Sequence, residues 1–336
     1  IEAVLHRIGK RRDARKLKQQ PPPAPFVWLD WESDPAPRIR LHRVPALDPD
    51  LARLLDDHFD PDGAFRRRLP EDFLRLADQL AGRPDIDLGA DALDYARRLA
   101  EQSAQGERAR ALGVSIRAGG GRLPGVTTRL YPYQVDGVAF LVAKGRALLA
   151  DDMGLGKTLQ AIAAAAWLRQ HAEVERVLVI CPASLKQQWA REIQRFTGQE
   201  TRVVRGPAAG RAVQYREGSG FYILNYELVL RDVAVINETL RPDLLILDEA
   251  QRIKNWRTKL ASAVKRIPSR YAFVLTGTPL ENRLEDLYSL MQVVDHRVLG
   301  PLWRYLVDFH ITDERGKVLG YRNLSELRRR LAPVML

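Results

Sequence analysis

Cysteine is nearly absent from this chain of 336 residues, in which Cys181 is the only one. A single cysteine cannot form an internal disulfide, so a small secreted domain held by disulfides is excluded and a reducing cytoplasm is expected. Cys181 ends an apolar run and is expected to be a buried structural thiol. The six histidines and Cys181 lack the spacing of a zinc site, so no metal held by histidine or cysteine is expected.

Long apolar runs and a surplus of acidic residues are also missing. No uncharged apolar run reaches about eighteen residues, the length that suggests a membrane-spanning helix, so no membrane partner is expected. The basic start is followed by no apolar region and cleavage site, which excludes a secretory signal. Lysine and arginine number 53 against 42 aspartate and glutamate residues, giving a net charge of +11. Such a chain attracts polyanions, of which nucleic acid is the commonest, although charge alone leaves this partner open.

The chain divides by composition into three parts. Residues 1–25 form a basic stretch that ends in a proline cluster, which predicts a linker preceded by a solvated helix rather than a DNA-binding arm. Residues 26–120 predict a small accessory domain, α+β or helical, without a catalytic constellation. The glycines of residues 119–125 mark the start of the third part, residues 121–336. The accessory domain is predicted to have strand, turn and strand from Phe26, then helices near residues 51–58, 71–80 and 92–112.

The third part alternates short apolar runs with amphipathic helices. Near-continuous apolar runs are typical of strands that are covered on both faces, and helices between them favour a parallel order. The predicted fold is therefore an α/β parallel sheet with helices on both faces. The predicted strands are residues 146–150, 176–181, 221–224, 243–247 and 271–275.

A phosphate-binding loop is indicated after the first of these strands by the sequence DDMGLGKT. Its glycines let backbone N–H groups turn toward a phosphate, and the following helix adds its partial positive charge. Lys157 would contact the β- and γ-phosphates, and the Thr158 hydroxyl would hold Mg²⁺. Asp151 stands where the general pattern has its first glycine, so an ordinary helix start is the alternative for this motif alone. The residues predicted to bind the nucleotide here are Asp152, Met153, Gly154, Leu155, Gly156, Lys157 and Thr158.

A second motif, DLLILDEAQ, places two carboxylates at the end of a predicted strand. Asp248 is predicted to bind Mg²⁺, and Glu249 to orient or deprotonate the attacking water. Adjacent carboxylates repel each other unless a cation lies between them, which itself favours a metal over an exposed acidic strand end. Lys157, Asp248 and Glu249 are therefore the predicted catalytic residues of an ATPase, with ATP and Mg²⁺ as its cofactors.

Six blocks of sequence resemble the first motor lobe of superfamily-two helicases and, among these, the Swi/Snf branch of DNA translocases. They are LYPYQ, DDMGLGKT, VLVICPASLKQQW, ILNYE, DEAQRIKN and LTGTPLENRLEDLYSL, in this order, and the likeness runs from about Leu123 to the end. It implies a RecA-like fold of the P-loop NTPase type in a DNA-dependent ATPase that moves along double-stranded DNA, with a bacterial member expected. Gln251 departs from the pattern, because many members carry histidine there.

The resemblance also implies roles for individual residues. Gln134 would recognise the adenine edge, although a glutamine at a helix start could instead be a cap. Thr276, Gly277 and Thr278 would sense the γ-phosphate and move the DNA contacts. Trp189 is expected to pack its helix against the sheet, since a lone tryptophan at helical spacing is usually in the core. The residues expected to contact DNA phosphates or lie beside them are Pro182, Ser184, Lys186, Asn225, Tyr226, Lys254 and Asn255.

In this family a second lobe supplies arginines to the ATP site, and the chain stops about where the first lobe would pass to it. We therefore expect this chain alone to hydrolyse ATP very slowly. The expected partners are double-stranded DNA and a DNA-bound protein such as RNA polymerase, in the cytoplasm or on the nucleoid. Three alternatives stay open: a strand-separating DNA or RNA helicase, a binding module whose residues 1–120 dock a protein, and an unrelated phosphate-loop ATPase.

Overall fold

The computed structural model describes residues 24–30, 37–45, 47–152, 154–277, 284–313 and 318–336. The predicted basic segment, residues 1–25, lies outside this description except for its last two residues. Contacts divide the chain into two compact units, which meet in sequence at Ala104 and Gln105.

The division between the units falls inside a long helix, Ala90–Ala118, and so precedes the glycines at which the sequence predicts it. Ala92 and Ala96, near the start of this helix, are buried in the core of the first unit. Ile116, near its end, is buried in the core of the second. The helix thus belongs to both units by its packing, which a glycine cluster further along the chain cannot reveal.

The first unit has a small mixed sheet covered by helices. Strand β1 (Phe26–Asp30) pairs antiparallel with β2 (Arg38–His42) and parallel with β3 (Asp87–Leu88). Alternate residues of β1 and β2 are buried, as expected for a sheet with one face in a core. The helices are α1 (Pro49–His58), α2 (Glu71–Leu80) and α3 (Ala90–Ala118). The two predicted strands and the three predicted helices therefore form at the predicted places, whereas the predicted turn between the strands lies outside the described residues.

The second unit is built on a parallel sheet of six strands, which confirms the predicted fold class. The strands are β4 (Arg146–Leu149), β5 (Arg176–Cys181), β6 (Thr201–Val203), β7 (Gly220–Asn225), β8 (Leu244–Leu247) and β9 (Tyr271–Leu275). Their order in the sheet is β4-β9-β8-β5-β7-β6, and every pairing is parallel. Parallel strands require crossover connections, and helices supply them.

Helices cover both faces of this sheet, and each central strand contributes side chains to two separate cores. In β5, Val177 and Val179 point to one core, while Leu178 and Ile180 point to the other. This two-sided burial explains why the strand is apolar throughout. Helices α4 (Pro132–Lys144), α5 (Lys157–His171) and α6 (Lys186–Thr197) pack on the first face. On the second face lie α8 (Tyr226–Val235), α9 (Lys259–Lys265), α10 (Leu284–Val294), α11 (Leu302–Phe309) and α12 (Leu324–Leu331), and α7 (Ala208–Gln214) leads into it.

The free edge of β4 is covered by the last residues of the chain. The Leu148 N–H donates to the Val334 carbonyl at 2.8 Å, and the Leu336 N–H donates to the Leu148 carbonyl at 3.0 Å. The Ala150 N–H donates to the Leu336 carbonyl at 2.7 Å. These bonds pair residues 334–336 with β4 in parallel and satisfy backbone groups that an open edge would expose.

A short antiparallel hairpin, β10 (His310–Thr312) with β11 (Val318–Tyr321), stands between α11 and α12. None of the helices in the described ranges has the length and apolar character needed to cross a membrane.

Candidate nucleotide-binding site

The predicted phosphate loop lies between β4 and the start of α5, as the motif requires. Gly154 and Gly156 have φ angles of 88° and 72°, a left-handed region that glycine enters without steric cost. The Lys157 ammonium donates to the backbone carbonyls of Asp151 and Asp152 at 2.7 and 2.8 Å. The loop therefore curls around the lysine side chain at a helix N-terminus, the arrangement that binds phosphate. Met153, also predicted here, lies outside the described residues.

Two buried glutamines fix the back of this loop. The Gln134 Oε1 accepts the Tyr131 N–H at 3.0 Å, so this residue caps α4. Its Nε2 donates to the Leu155 carbonyl at 3.4 Å, and the Gln160 Nε2 donates to the same carbonyl at 3.1 Å. Adenine recognition by Gln134 stays a prediction. Gln160 was not among the predicted site residues. Its position as a polar residue in an otherwise apolar turn of the helix could have indicated a role in the site.

A side chain at Gly156 would displace the Gln134 amide from the loop. A Cβ atom there would lie 2.6 Å from the Gln134 Nε2, and the positive φ angle adds strain. Glycine at this position therefore allows both the backbone angle and the approach of Gln134.

Asp248 directly follows β8, and both of its carboxylate oxygens accept hydrogen bonds. Its Oδ2 accepts the Trp189 indole N–H at 2.8 Å, and its Oδ1 accepts the Glu249 backbone N–H at 3.0 Å. Burial raises the pKa of the Asp248 carboxyl, while the bond from Trp189 acts to lower it. Trp189 is buried, as predicted, but it also orients the carboxylate of the predicted Mg²⁺ ligand, which the sequence did not indicate.

Glu249 has a positive φ angle of 50°, which is unusual for a residue with a side chain. Backbone strain of this kind costs about 1–3 kcal/mol and is concentrated at functional sites. The Glu249 Oε2 accepts the Gln251 side-chain N–H at 2.5 Å, and the Gln251 Oε1 accepts the Thr276 hydroxyl at 3.1 Å. Gln251 therefore joins the acidic strand end to the segment after β9.

These groups meet in one cleft of about 460 Å³ at the carboxyl edge of the sheet. The cleft contains Lys157 and Thr158 from the loop, Asp248 and Glu249 from β8, and Thr276 and Gly277 from the end of β9. Helix α6 contributes its wall through Gln188, Trp189, Glu192, Arg195 and Phe196. Thr278, the third predicted coupling residue, lies outside the described residues.

The donor set of the cleft suits Mg²⁺ bound together with a nucleotide. The Thr158 hydroxyl and the Asp248 carboxylate are oxygen ligands, which Mg²⁺ prefers. In the described ranges no group of three or more histidine, cysteine, aspartate or glutamate residues could hold a metal by itself. Mg²⁺ commonly uses one or two protein ligands and completes its shell with water and phosphate oxygens. The residues present therefore fit a nucleotide-linked Mg²⁺ and not a closed metal site.

The predicted DNA-contacting residues follow the carboxyl ends of β5, β7 and β8, and so lie along the same edge. Ser184 is exposed, and Pro182 and Asn225 are partly exposed. The Asn225 amide donates to the Glu227 carboxylate at 2.6 Å. The Lys186 ammonium, at the start of α6, lies 3.4 Å from the Val204 carbonyl.

The remaining predicted contacts differ in how accessible they are. The Lys254 ammonium is half exposed, 3.6 Å from the Asp286 carboxylate, and Asn255 is exposed. Tyr226, in contrast, is fully buried and its hydroxyl donates to the Asp248 carbonyl at 2.7 Å. Burial raises the pKa of the Tyr226 phenol. The Tyr226 side chain therefore supports the acidic strand end from inside and offers no surface to DNA.

The fold and this cleft define a RecA-like nucleotide-binding protein of the phosphate-loop class. Residues 133–336 match the model of the SNF2-related domain. The chain belongs to the SNF2 family.

Curated relatives include the DNA repair and recombination protein RAD54B of Gallus gallus, 35% identical over 201 residues. That match covers 54% of this chain and 22% of the relative. The DNA excision repair protein ERCC-6-like of Bos taurus is 34% identical over 206 residues, covering 56% of this chain and 17% of its own length. The chain thus spans about a fifth of the length of these relatives.

A solved structure agrees with the family and the fold. The SWI2/SNF2 ATPase core of Sulfolobus solfataricus in complex with double-stranded DNA is 31% identical to this chain, with a TM-score of 0.55. The match covers 63% of this chain and 45% of that one.

Proposed function

We propose that this chain supplies the ATP-binding part of a DNA-dependent ATPase that moves along double-stranded DNA and displaces or remodels bound protein. The observation that carries the proposal is the single cleft that joins the phosphate loop, the acidic end of β8 and the segment after β9. The edge that contains this cleft also presents the accessible residues predicted to contact DNA. This arrangement supports a proposal in which the nucleotide site and the DNA contacts share one edge of the sheet.

In this proposal the phosphate loop binds the β- and γ-phosphates. Its backbone N–H groups and the Lys157 ammonium, which now bonds to loop carbonyls, would turn to phosphate oxygens. Thr158 and Asp248 would hold Mg²⁺, which supplies neutralising charge on the phosphates. Asp248 is already oriented by Trp189 and by the Glu249 N–H, so little side-chain freedom is lost on binding.

Glu249 would orient the attacking water and accept its proton. Its carboxylate is held by the Gln251 amide, which is in turn bonded to the Thr276 hydroxyl. A change at the γ-phosphate that moves Glu249 would therefore reach the segment after β9 through two hydrogen bonds. We propose this bridge as the physical link between hydrolysis and the DNA contacts.

The DNA contacts would be made to phosphates, from Ser184, Lys186, Lys254 and Asn255. Contacts of this kind carry no base information, so binding should tolerate any sequence. They should also depend on salt, with a slope of log affinity against log salt of about −0.9 for each phosphate contacted. A DNA-bound protein such as RNA polymerase would be the object that the motor displaces.

We further propose that this unit is the first of two motor lobes. Arginines from a second lobe would complete the ATP site, an addition typically worth about 10³–10⁵ in rate. The chain alone should then bind ATP and hydrolyse it very slowly. Addition of the following lobe should restore turnover.

The test is ATP turnover by the chain with its following lobe, in the presence of duplex DNA, single-stranded DNA or RNA in turn. Glu249→Gln should abolish turnover while nucleotide binding persists, and Glu238→Gln, an exposed carboxylate outside the cleft, is the matched control. Greatest stimulation by duplex DNA supports the proposal. Greatest stimulation by single strands or RNA would replace it with a strand-separating helicase.

A further inference from the structure

A second concave surface lies on the other face of the sheet from the phosphate-loop helix. This basic groove, of about 600 Å³, is formed between α8 and the segment that leads into α9. None of the described residues that line it is acidic. Its principal residues are Leu230, Trp256, Arg257, Lys259, Ser262 and Arg266.

The cations that line the basic groove differ in their ion pairing from Arg252 and Lys254, which precede them in the chain. Arg252 lies 3.3 Å from the Glu227 carboxylate and Lys254 lies 3.6 Å from that of Asp286, so each already has an acidic neighbour within the protein. Arg257, Lys259 and Arg266 form no ion pair within the described ranges, and all three are exposed. The positive charge of the groove is therefore available to a partner.

The floor of the basic groove is apolar. Leu230 on α8 is 46% exposed, and the Trp256 indole lies beside it, partly exposed. The Arg257 guanidinium is 5.0 Å from the centre of the Trp256 ring, within cation–π distance. Tryptophan and arginine are the residues that most often dominate binding energy at protein interfaces. Covering the exposed leucine would add about 25 cal/mol for each Å² removed from water.

We propose that the basic groove binds an acidic peptide segment of a partner protein, with a bulky apolar side chain seated on Leu230 and Trp256. Three unpaired cations select an anionic partner, which excludes a neutral apolar peptide. A phosphodiester backbone is anionic but gains nothing from an aliphatic floor, and Arg257 covers one face of the Trp256 ring. The volume of the groove suits a few side chains. This proposal does not depend on the nucleotide site.

The test is a binding titration by fluorescence anisotropy with three labelled probes. They are a synthetic peptide of alternating Asp or Glu with Leu and Phe, its Asn and Gln counterpart, and a short duplex DNA. The variants are Arg257→Glu with Lys259→Glu, and separately Leu230→Asp. Arg191→Glu, an exposed arginine of α6 outside the groove, is the matched control, and retained nucleotide binding shows that each variant is folded.

The acidic peptide should bind, and each groove variant should weaken it about tenfold or more, since two favourable charge contacts become repulsive or the apolar contact is lost. The neutral counterpart should bind at least about tenfold more weakly, and the Arg191 control should match the wild type. Equal binding of the two peptides, or unchanged affinity in both groove variants, overturns the proposal. Loss of duplex affinity with unchanged peptide affinity would also overturn it and assign the groove to nucleic acid.

Discussion

Replacing Trp189 by phenylalanine removes a single hydrogen bond from the candidate site and leaves an aromatic ring in place. The indole N–H is 2.8 Å from the Asp248 Oδ2, and both side chains are buried. The substitution therefore leaves one oxygen of the Asp248 carboxylate without the donor that orients it. Hydrogen bonds to charged groups contribute about 1.5–3 kcal/mol, which corresponds to about ten- to 150-fold in an equilibrium constant.

The predicted loss of ATP affinity depends on Mg²⁺, because Asp248 is the proposed ligand of Mg²⁺ and the phosphate loop is unchanged by the substitution. Trp189→Phe should weaken binding of Mg²⁺-ATP by about tenfold or more, and should change binding of ATP without Mg²⁺ by less than about twofold. The measurement is a titration with a fluorescent ATP analogue, with and without Mg²⁺. Urea unfolding of both proteins gives the stability lost by removing part of the ring.

Trp167→Phe is the matched control, because it makes the same chemical change elsewhere in the second unit. The Trp167 ring stacks on His171 with centroids 4.4 Å apart and does not line the cleft. It should leave both affinities unchanged. An equal loss of affinity with and without Mg²⁺ in Trp189→Phe, or none at all, would refute the positioning of Asp248 by Trp189.

Three further predictions concern other parts of the second unit. Gln251→Ala breaks the bridge between the acidic strand end and the segment after β9, so DNA-stimulated turnover should fall more than nucleotide affinity; equal losses would contradict a coupling role. Burial lowers the pKa of the Lys265 ammonium to about 8, so the unfolded chain holds this proton between pH 8 and 10.5 while the folded chain does not. The free energy of unfolding of the wild type should therefore rise with pH in this window relative to Lys265→Met, in urea titrations at each pH; a constant difference would refute this. Arg211→Met removes the guanidinium 2.6 Å from the buried Asp232 carboxylate and leaves the Tyr215 hydroxyl as a remaining donor to it. The loss should be about 3–5 kcal/mol, part of it recovered by adding Asp232→Leu; a loss below about 1 kcal/mol would show that the pair is not tightly buried.

The sheet of the second unit was largely predictable because burial on both faces leaves continuous apolar runs. Tyr271–Leu275 and Arg176–Cys181 begin and end where the sequence predicts. β6 was missed, since Thr201–Val203 is a three-residue edge strand whose residues are only partly buried. The strand order could not be obtained in this way, because it depends on how each crossover packs and not on the local pattern.

The candidate site also has a part that follows from local sequence and a part that depends on the packing of distant segments. The phosphate loop is a local motif that the sequence predicts, and its glycines have the positive φ angles that let such a loop turn. The contact between Trp189 and Asp248 joins residues 59 positions apart, and only the sheet brings them together. The resemblance to the family implied that Tyr226 lies beside DNA, whereas its side chain turns inward to the Asp248 carbonyl, a contact that only the fold creates.

The pairing of the chain's last residues with β4 has a mechanical consequence. A pull on Leu336 along its strand would load the bonds to Leu148 and Ala150 together, in shear, the geometry in which parallel strands resist separation as a set. Ala150 is joined to Asp151 by one peptide bond, so the load would arrive directly at the phosphate loop. Tension on Leu336 would therefore reach the phosphate loop through Ala150, and it would reach Thr276 through its hydrogen bond to the Leu149 carbonyl.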